Sequence, residues 1–267
     1  MAQVPVVGNL MQAIAGYHHM TGWPDRFPLG PSLAEPDYIA PFYLYISLLA
    51  ALDYKQRTGK GVWIDVSQYE AGLQFMAPML VDYLANGRVQ ERKGNASASA
   101  APHGVYRCKG DDRWCAIAVE TDAHWESLCR AIGRPKWRSD PRFATLAGRL
   151  EYREELDRLL EAWTRKRDAW DVMHALQKAG VPAGVAESGE DMDSDPQTEA
   201  IAHFALLKHP EMGERRYDRP GFRLEETPVG PTRPAPCLGE HTHEVCTSFL
   251  GISDEDFLRL SEAGVFY

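Results

Sequence analysis

Residues 40–52, "APFYLYISLLAAL", limit the folds open to this chain more than any other stretch. Thirteen apolar-rich residues are too few to cross a bilayer, which takes about 20. Yet the run is too apolar all round for a surface helix, which carries a single apolar stripe. The pattern predicts a helix over 40–55, buried, and closed by the glycine-rich "TGKG" at 58–61. A helix apolar on most faces must be covered on more than one side. Taken alone, the chain is expected to expose an apolar face well beyond the few hundred Å² common in monomers, and so to associate or dissolve poorly.

The neighbouring segments suggest how such a helix is layered. "VWIDVS" (62–67) alternates, with Val62, Ile64 and Val66 on one face and Trp63, Asp65 and Ser67 on the other, which predicts a strand. Tyr69, Leu73, Met76, Leu80 and Leu84 then recur at three- and four-residue spacing, which predicts one helix ending at Gly87. Helix, strand and helix in succession imply an α/β layer. Upstream, residues 8–35 begin as a short helical pattern and become a Pro/Gly-rich loop. Downstream, "RKGNASASAAPHG" (92–104) is small, polar and flexible, a linker or mobile loop.

Residues 105–119 predict two strands joined by a Gly-Asp-Asp turn, followed by helices at 122–132, 151–166 and 168–179. Leu156, Leu159, Leu160 and Trp163 form the apolar stripe of the second of these. "VPAGVAE" predicts a short strand, and the tail two short helices, the last started by Ser253 with Asp256 three residues on.

Charge and motifs exclude several function classes. The net charge is −9, and no basic cluster exceeds "RTGK" or "TRKR", so nucleic acid is not an expected partner; neither is a membrane. Five scattered cysteines without a signal-peptide pattern suggest reduced thiols and a cytoplasmic protein. No P-loop, Gly-x-Gly-x-x-Gly, Gly-x-Ser-x-Gly or His-Glu-x-x-His occurs. "CLGEHTHEVC" offers Cys237, His241, His243 and Cys246, whose types suit tetrahedral zinc. Four ligands so tightly spaced seldom converge, and the expectation is a surface turn without a metal. His18 and His19 are expected packed or exposed at a loop rather than transferring protons.

"LAEPDYIAPFY" places Asp37 just ahead of the apolar helix. A carboxylate there either caps the helix or does chemistry at its start, and the local pattern leaves both readings open. A wider resemblance bears on the choice. "GYHHMTGWPDRFPLGP" and "DYIAPFYLYISLLAALDYKQRTGKGVWIDVSQYEAG", followed in order by "APHGVYRC", "WCAIAV", "SDPRF", "AGVPAGV", "DPQ" and "APCLGEHT", resemble the family III CoA-transferases, the CaiB/BaiF group. That group includes formyl-CoA transferase, carnitine CoA-transferase and α-methylacyl-CoA racemase.

The resemblance implies that Asp37 is the nucleophile of a CoA-transferase working through an aspartyl-CoA thioester. It implies that Gln68 lies near the CoA thiol. Asn95, Ala96, Ser97 and Ala98 occupy the place of an active-site loop that is glycine-rich in formyl-CoA transferase; here only Gly94 and Gly104 flank it. Glu120 stands where racemase relatives place an acid that moves the α-proton. "LGEHT" belongs to the family pattern in enzymes that use no metal. The implied cofactor set is empty, with coenzyme A entering as a thioester substrate alongside a carboxylic acid.

The implied fold is α/β, part of the family's large domain plus a small α+β domain. Residues 1–90 would belong to the large domain with the nucleophile, 91–102 to the loop, 103–205 to the small domain, and 206–267 to a return into the large domain. Family members run longer, and the Rossmann-like N-terminal half is expected to lie outside this sequence. The expected partner is a second copy or a chain supplying that half. Split enzyme, fragment and non-catalytic remnant all remain open, as does a racemase of the same fold.

Overall fold

Five helices precede the first strand among the described residues: α1 (Gly8–Ile14), α2 (Tyr17–Met20), α3 (Glu35–Thr58), α4 (Gln68–Phe75) and α5 (Ala77–Asn86). The structure is a computed structural model that describes residues 6–31 and 33–266. Its contacts divide the chain into two compact units, Met1–Ala186 and Glu187–Tyr267.

The helix predicted from the apolar run forms and is longer than predicted. Pro36 sits at the second position of α3, where an absent N–H costs nothing. Gly59, at φ 72°, closes it in the left-handed conformation and donates its N–H to the Lys55 carbonyl at 2.8 Å. The predicted burial is not found. Only Pro36 and Ala40 of α3 are buried, while Phe42, Tyr45, Ile46 and Leu49 are each about two-thirds exposed (69, 66, 67 and 65%). α3 packs against α1 and α4, and these two neighbours leave most of a helix that is apolar all round in the open.

Two further expectations are corrected. Residues 62–67 form no strand, although their alternation is that of one. A strand exists through a neighbour's hydrogen bonds, and the sheets among the described residues do not include this segment. The single helix expected over 69–86 is two, α4 and α5. Pro78 has no N–H to donate to the Gln74 carbonyl, and the chain turns at Met76 instead. Gly87, at φ 65°, ends α5 as expected.

The rest of the first unit is close to its sequence pattern. β1 (His103–Arg107), β2 (Trp114–Ala118) and β3 (Ala183–Val185) form one antiparallel sheet, with Tyr106 opposite Cys115 and Ile117 opposite Ala183. The β1–β2 turn uses Gly110 at φ 109° and Asp112 at φ 47°. Tyr106, Cys115 and Ile117 point to the core, whereas Val105 and Ala116 face out. The core is closed by α6 (Asp122–Ala131), α7 (Leu146–Glu151), α8 (Arg153–Thr164) and α9 (Ala169–Lys178). Trp125, Leu128, Phe143, Leu156, Leu160, Val172 and Leu176 fill it. The stripe on α8 is narrower than its pattern, for Leu159 is exposed and Trp163 only half-buried.

The second unit holds α10 (Gly189–Ser194), α11 (Pro196–Ala200) and an antiparallel hairpin of β4 (Phe204–His209) and β5 (Gly213–Asp218). This hairpin is not evident in the sequence. Leu206 faces solvent at 61% exposure, so β4 shows no alternation to read. Residues 187–205, expected within the small domain, group with this second unit. The chain ends through α12 (Thr242–Glu244), a π-helical turn over Val245–Phe249, and α13 (Asp254–Glu262). Ser253 starts α13 as expected, accepting from the Asp256 N–H at 3.1 Å.

Candidate active site

Asp37 is the third residue of α3, and it does not cap it. The N-cap position is held by Ala34, and no side chain caps the helix there. The Asp37 N–H already bonds to the Ala34 carbonyl at 2.8 Å. The side chain is exposed in the first turn, where free N–H groups favour an anion. Pro41, four residues on, has no N–H for the Asp37 carbonyl, so the helix ladder is interrupted at this residue.

Gln68 reaches Asp37 from 31 positions away: its Nε2 donates to Asp37 Oδ1 at 3.3 Å. Gln68 is the first residue of α4, and Ser67 sets that start by accepting from the Glu70 N–H at 3.3 Å. On the other side stands Gly8, the first residue of α1. A Cβ at Gly8 would overlap Ala34 Cβ and stand 2.7 Å from Asp37 Oδ2. The carboxylate thus lies between a neutral amide donor and a bare backbone.

A buried polar cluster underlies this arrangement. Gln12 is wholly buried, and its Nε2 donates to the Leu33 carbonyl and to Glu35 Oε2. That leaves Gln12 Oε1 as the acceptor for His18 Nε2, 3.4 Å away. His18 is half-buried and belongs to this cluster, in keeping with a packing role. Tyr17 donates its hydroxyl to the Gly72 carbonyl at 3.0 Å, which ties α2 to α4. Burial, then the nearby Glu35 carboxylate, push the Tyr17 phenol above its usual range. Gly8, Gln12 and Tyr17 escape the sequence reading. The available signal is the spacing of Gly8 and Gln12, four residues apart on one helix face.

The loop at 95–98 has its own anchors. Its entry is fixed where the Gly94 N–H bonds to the Gly22 carbonyl at 2.8 Å, with Gly94 at φ 55° directly beneath the Trp23 ring. A side chain there would collide with the indole. Nearby, His19 pairs with Glu91 at 3.3 Å. The carbonyls of Asn95, Ser97 and Ala101 then accept from His103 (2.7 Å), Arg153 (2.5 Å) and Arg149 (2.9 Å) in turn. Ala96 donates back to the Lys93 carbonyl, and Ala98 lies between the tethers. The loop is therefore held on the side of β1, α7 and α8. Among the described residues none of its hydrogen bonds is with Asp37 or Gln68.

Glu120 is exposed between β2 and α6. The tail residues go separate ways. The Cys237 N–H donates to Glu240, His243 pairs with Asp254 at 2.9 Å, and Cys246 is buried in the π turn. Among the described residues no three His, Cys, Asp or Glu side chains are grouped to hold a metal ion. No helix among them is long and apolar enough to cross a membrane.

Chemically, Asp37 is an accessible carboxylate whose partner is an uncharged amide. A salt bridge would hold the anion in place and lower its reactivity, whereas an amide orients one oxygen and leaves the charge for attack on an electrophilic carbonyl.

Residues 1–242 match the model of CoA-transferase family III. The chain is 34% identical over 253 residues to the succinyl-CoA–D-citramalate CoA-transferase of Chloroflexus aurantiacus, an alignment covering 95% of this chain and 63% of that protein. It is 34% identical over 253 residues to the alpha subunit of a succinyl-CoA–L-malate CoA-transferase from Chloroflexus aurantiacus, covering 94% of this chain and 59% of the other. The fold superposes on the crystal structure of a CaiB/BaiF family protein from Brucella suis with a TM-score of 0.82 and 28% identity, over 92% of this chain and 64% of that one. The chain thus spans about 60% of the length of the curated relatives it matches.

Proposed function

The chain belongs to CoA-transferase family III, and on that premise we propose that it bears the nucleophile of a CoA-transferase, Asp37. CoA would pass from an acyl-CoA to a carboxylic acid by way of an aspartyl-CoA thioester. The observation that carries this reading is the bond from Gln68 Nε2 to Asp37 Oδ1, joining the residue that the resemblance makes the nucleophile to the one that it places near the CoA thiol.

The steps balance without an added proton or cofactor. An Asp37 oxygen attacks the thioester carbonyl, the carbon–sulfur bond breaks, and CoA leaves as thiolate from a mixed anhydride. The thiolate attacks the aspartyl carbonyl and expels the donor carboxylate, leaving the aspartyl-CoA thioester. The acceptor carboxylate attacks that thioester to form a second anhydride and release the thiolate again. Attack of the thiolate on the acceptor's acyl carbon yields the new acyl-CoA and returns Asp37. Each attack builds charge on a carbonyl oxygen. Gln68 orients the nucleophile, and the loop at 95–98 would have to leave its tethers to His103 and Arg153 before its N–H groups could steady the oxyanion.

The two relatives described above carry succinyl-CoA in their names, so a short dicarboxylic acyl-CoA is the first donor to test. The exposed apolar length of α3 and the exposed Trp63 of the 62–67 segment suit a covering partner, either a second copy or a polypeptide supplying the family's N-terminal half. A relative that is itself an alpha subunit supports assembly with a further polypeptide chain. The four-segment organisation, with 1–90 and 206–267 in a shared large domain around a small domain at 103–205, belongs to the same proposal.

Mass spectrometry of protein quenched with acyl-CoA tests the reading. The peptide bearing Asp37 should gain the mass of CoA, lose it to hydroxylamine, and show no adduct in Asp37→Ala. The same variant should lose at least 10³-fold in turnover, since a nucleophile supplies several kcal/mol of barrier lowering. An Asp37→Ala protein within tenfold of the parent would refute the assignment.

A further inference from the structure

We propose that Gly8 and Gln12, four residues apart on one face of α1, are positioning residues for the Asp37 carboxylate. The kinetic consequence rests on the reading of Asp37 as nucleophile; the geometric one does not.

Gly8 acts by what it lacks. A Cβ there would stand 2.7 Å from Asp37 Oδ2 and 3.4 Å from Asp37 Cγ. Carbon and oxygen do not approach so closely without displacement, and the group that yields is the exposed carboxylate rather than the backbone of a helix. Oδ1 is meanwhile held by Gln68. Any side chain at position 8 would push the carboxylate off that amide.

Gln12 acts from one turn below. Wholly buried, it binds the Leu33 carbonyl and Glu35 through one nitrogen and faces His18 through its oxygen. Leu33 and Glu35 flank Ala34, the residue that a Cβ at position 8 would strike. Gln12 therefore fixes the segment entering α3 against α1 at the level where Gly8 meets Asp37. A buried amide must have partners for both its donor and its acceptor, and Gln12 finds them on the two residues flanking Ala34 and on His18. Gly30 seals the cluster: a Cβ there would collide with His18 Nε2 and stand 3.0 Å from Gln12 Oε1.

The double substitution Gly8→Ala with Ala34→Gly removes the collision with Ala34 and keeps the one with Asp37. Ala34→Gly alone is its control, and Gln12→Met tests the second residue at nearly constant volume. The first readout is the side-chain amide resonance of Gln68 in a ¹⁵N-correlated spectrum of the full chain. In the parent background it should shift when Asp37 is replaced by Asn, and that shift is the response of the amide to the carboxylate it binds. We expect the response to fall at least threefold in the double variant and in Gln12→Met, and to persist in Ala34→Gly. An unchanged response in both variants, or none in the parent, overturns the proposal. The second readout is turnover in the active assembly. Displacement of a reacting group by about 1 Å costs about 10²-fold, so kcat should fall by that factor with KM for acyl-CoA unchanged. Full turnover by both variants would overturn the kinetic part. Turnover by Asp37→Ala would instead remove the nucleophile reading and leave the resonance test to judge the geometry.

Discussion

Replacing Arg149 by methionine should lower the stability of the first unit. Arg149 is 1% exposed, with its guanidinium 5.0 Å from the centre of the Trp125 ring. Nε donates to the Ala101 carbonyl at 2.9 Å, Nη1 to the Phe143 carbonyl at 3.3 Å, and Nη2 to Asp122 Oδ1 at 3.0 Å. Ala101 and Phe143 are fully buried, so methionine would leave both carbonyls without that donor, at about 1–3 kcal/mol each. Asp122 is 83% exposed and would simply rehydrate, contributing little. The lost contact over Trp125 adds about 1 kcal/mol, and removing a buried charge returns part of its desolvation cost. The net is a loss of about 4 kcal/mol, or about 8–16 °C in Tm for a unit of this size. Lysine cannot serve three acceptors with one ammonium and should fall between parent and methionine. Differential scanning calorimetry and urea titration measure both. An Arg149→Met protein melting within 2 °C of the parent would show that the guanidinium does not hold this junction, and that the anchoring of the loop at Ala101 is misjudged.

Burial, partly opposed by the hydrogen bond from Tyr106 at 2.6 Å, raises the Asp157 carboxyl above its ordinary value of 3.8. The folded state therefore binds this proton more tightly than the unfolded chain, so its contribution is complete below about pH 4 and is lost as pH rises through the raised value. Asp157→Asn keeps an acceptor for Tyr106 and should gain stability relative to the parent from pH 4 upward, then level off; a flat difference in urea titrations at pH 4 to 8 would contradict this. Burial holds the Cys115 and Cys129 thiols at about 12, and Cys108 and Cys246 are buried as well. Iodoacetamide at pH 8 should thus modify Cys237 first and the other four only on unfolding, as peptide mapping will show.

Much of the fold was legible because it is local. The strands of the β1–β2 hairpin and the start of α13 at Ser253 follow from local pattern, and the predicted helices at 122–132 and 168–179 form with Thr121 and Asp168 at their caps. Gly59 and Gly87 end their helices because only glycine takes the left-handed conformation without strain. Asp37 was marked by its place in the family pattern, and so was Gln68.

Other features depend on residues far apart in the chain. Whether 62–67 is a strand depends on a neighbour with free donors and acceptors, and whether α3 is buried depends on what covers it; neither is a property of the segment. The sequence also could not show that Asp37 leaves the capping position to Ala34. Nor could it show that Gln68, 31 residues on, turns its amide toward the carboxylate, or that Gly8 leaves the space in which it rests. Periodicity and capping act within one or two turns of chain. The position of the Asp37 carboxylate is set by three helix starts brought together through packing, and only the folded chain decides where they meet.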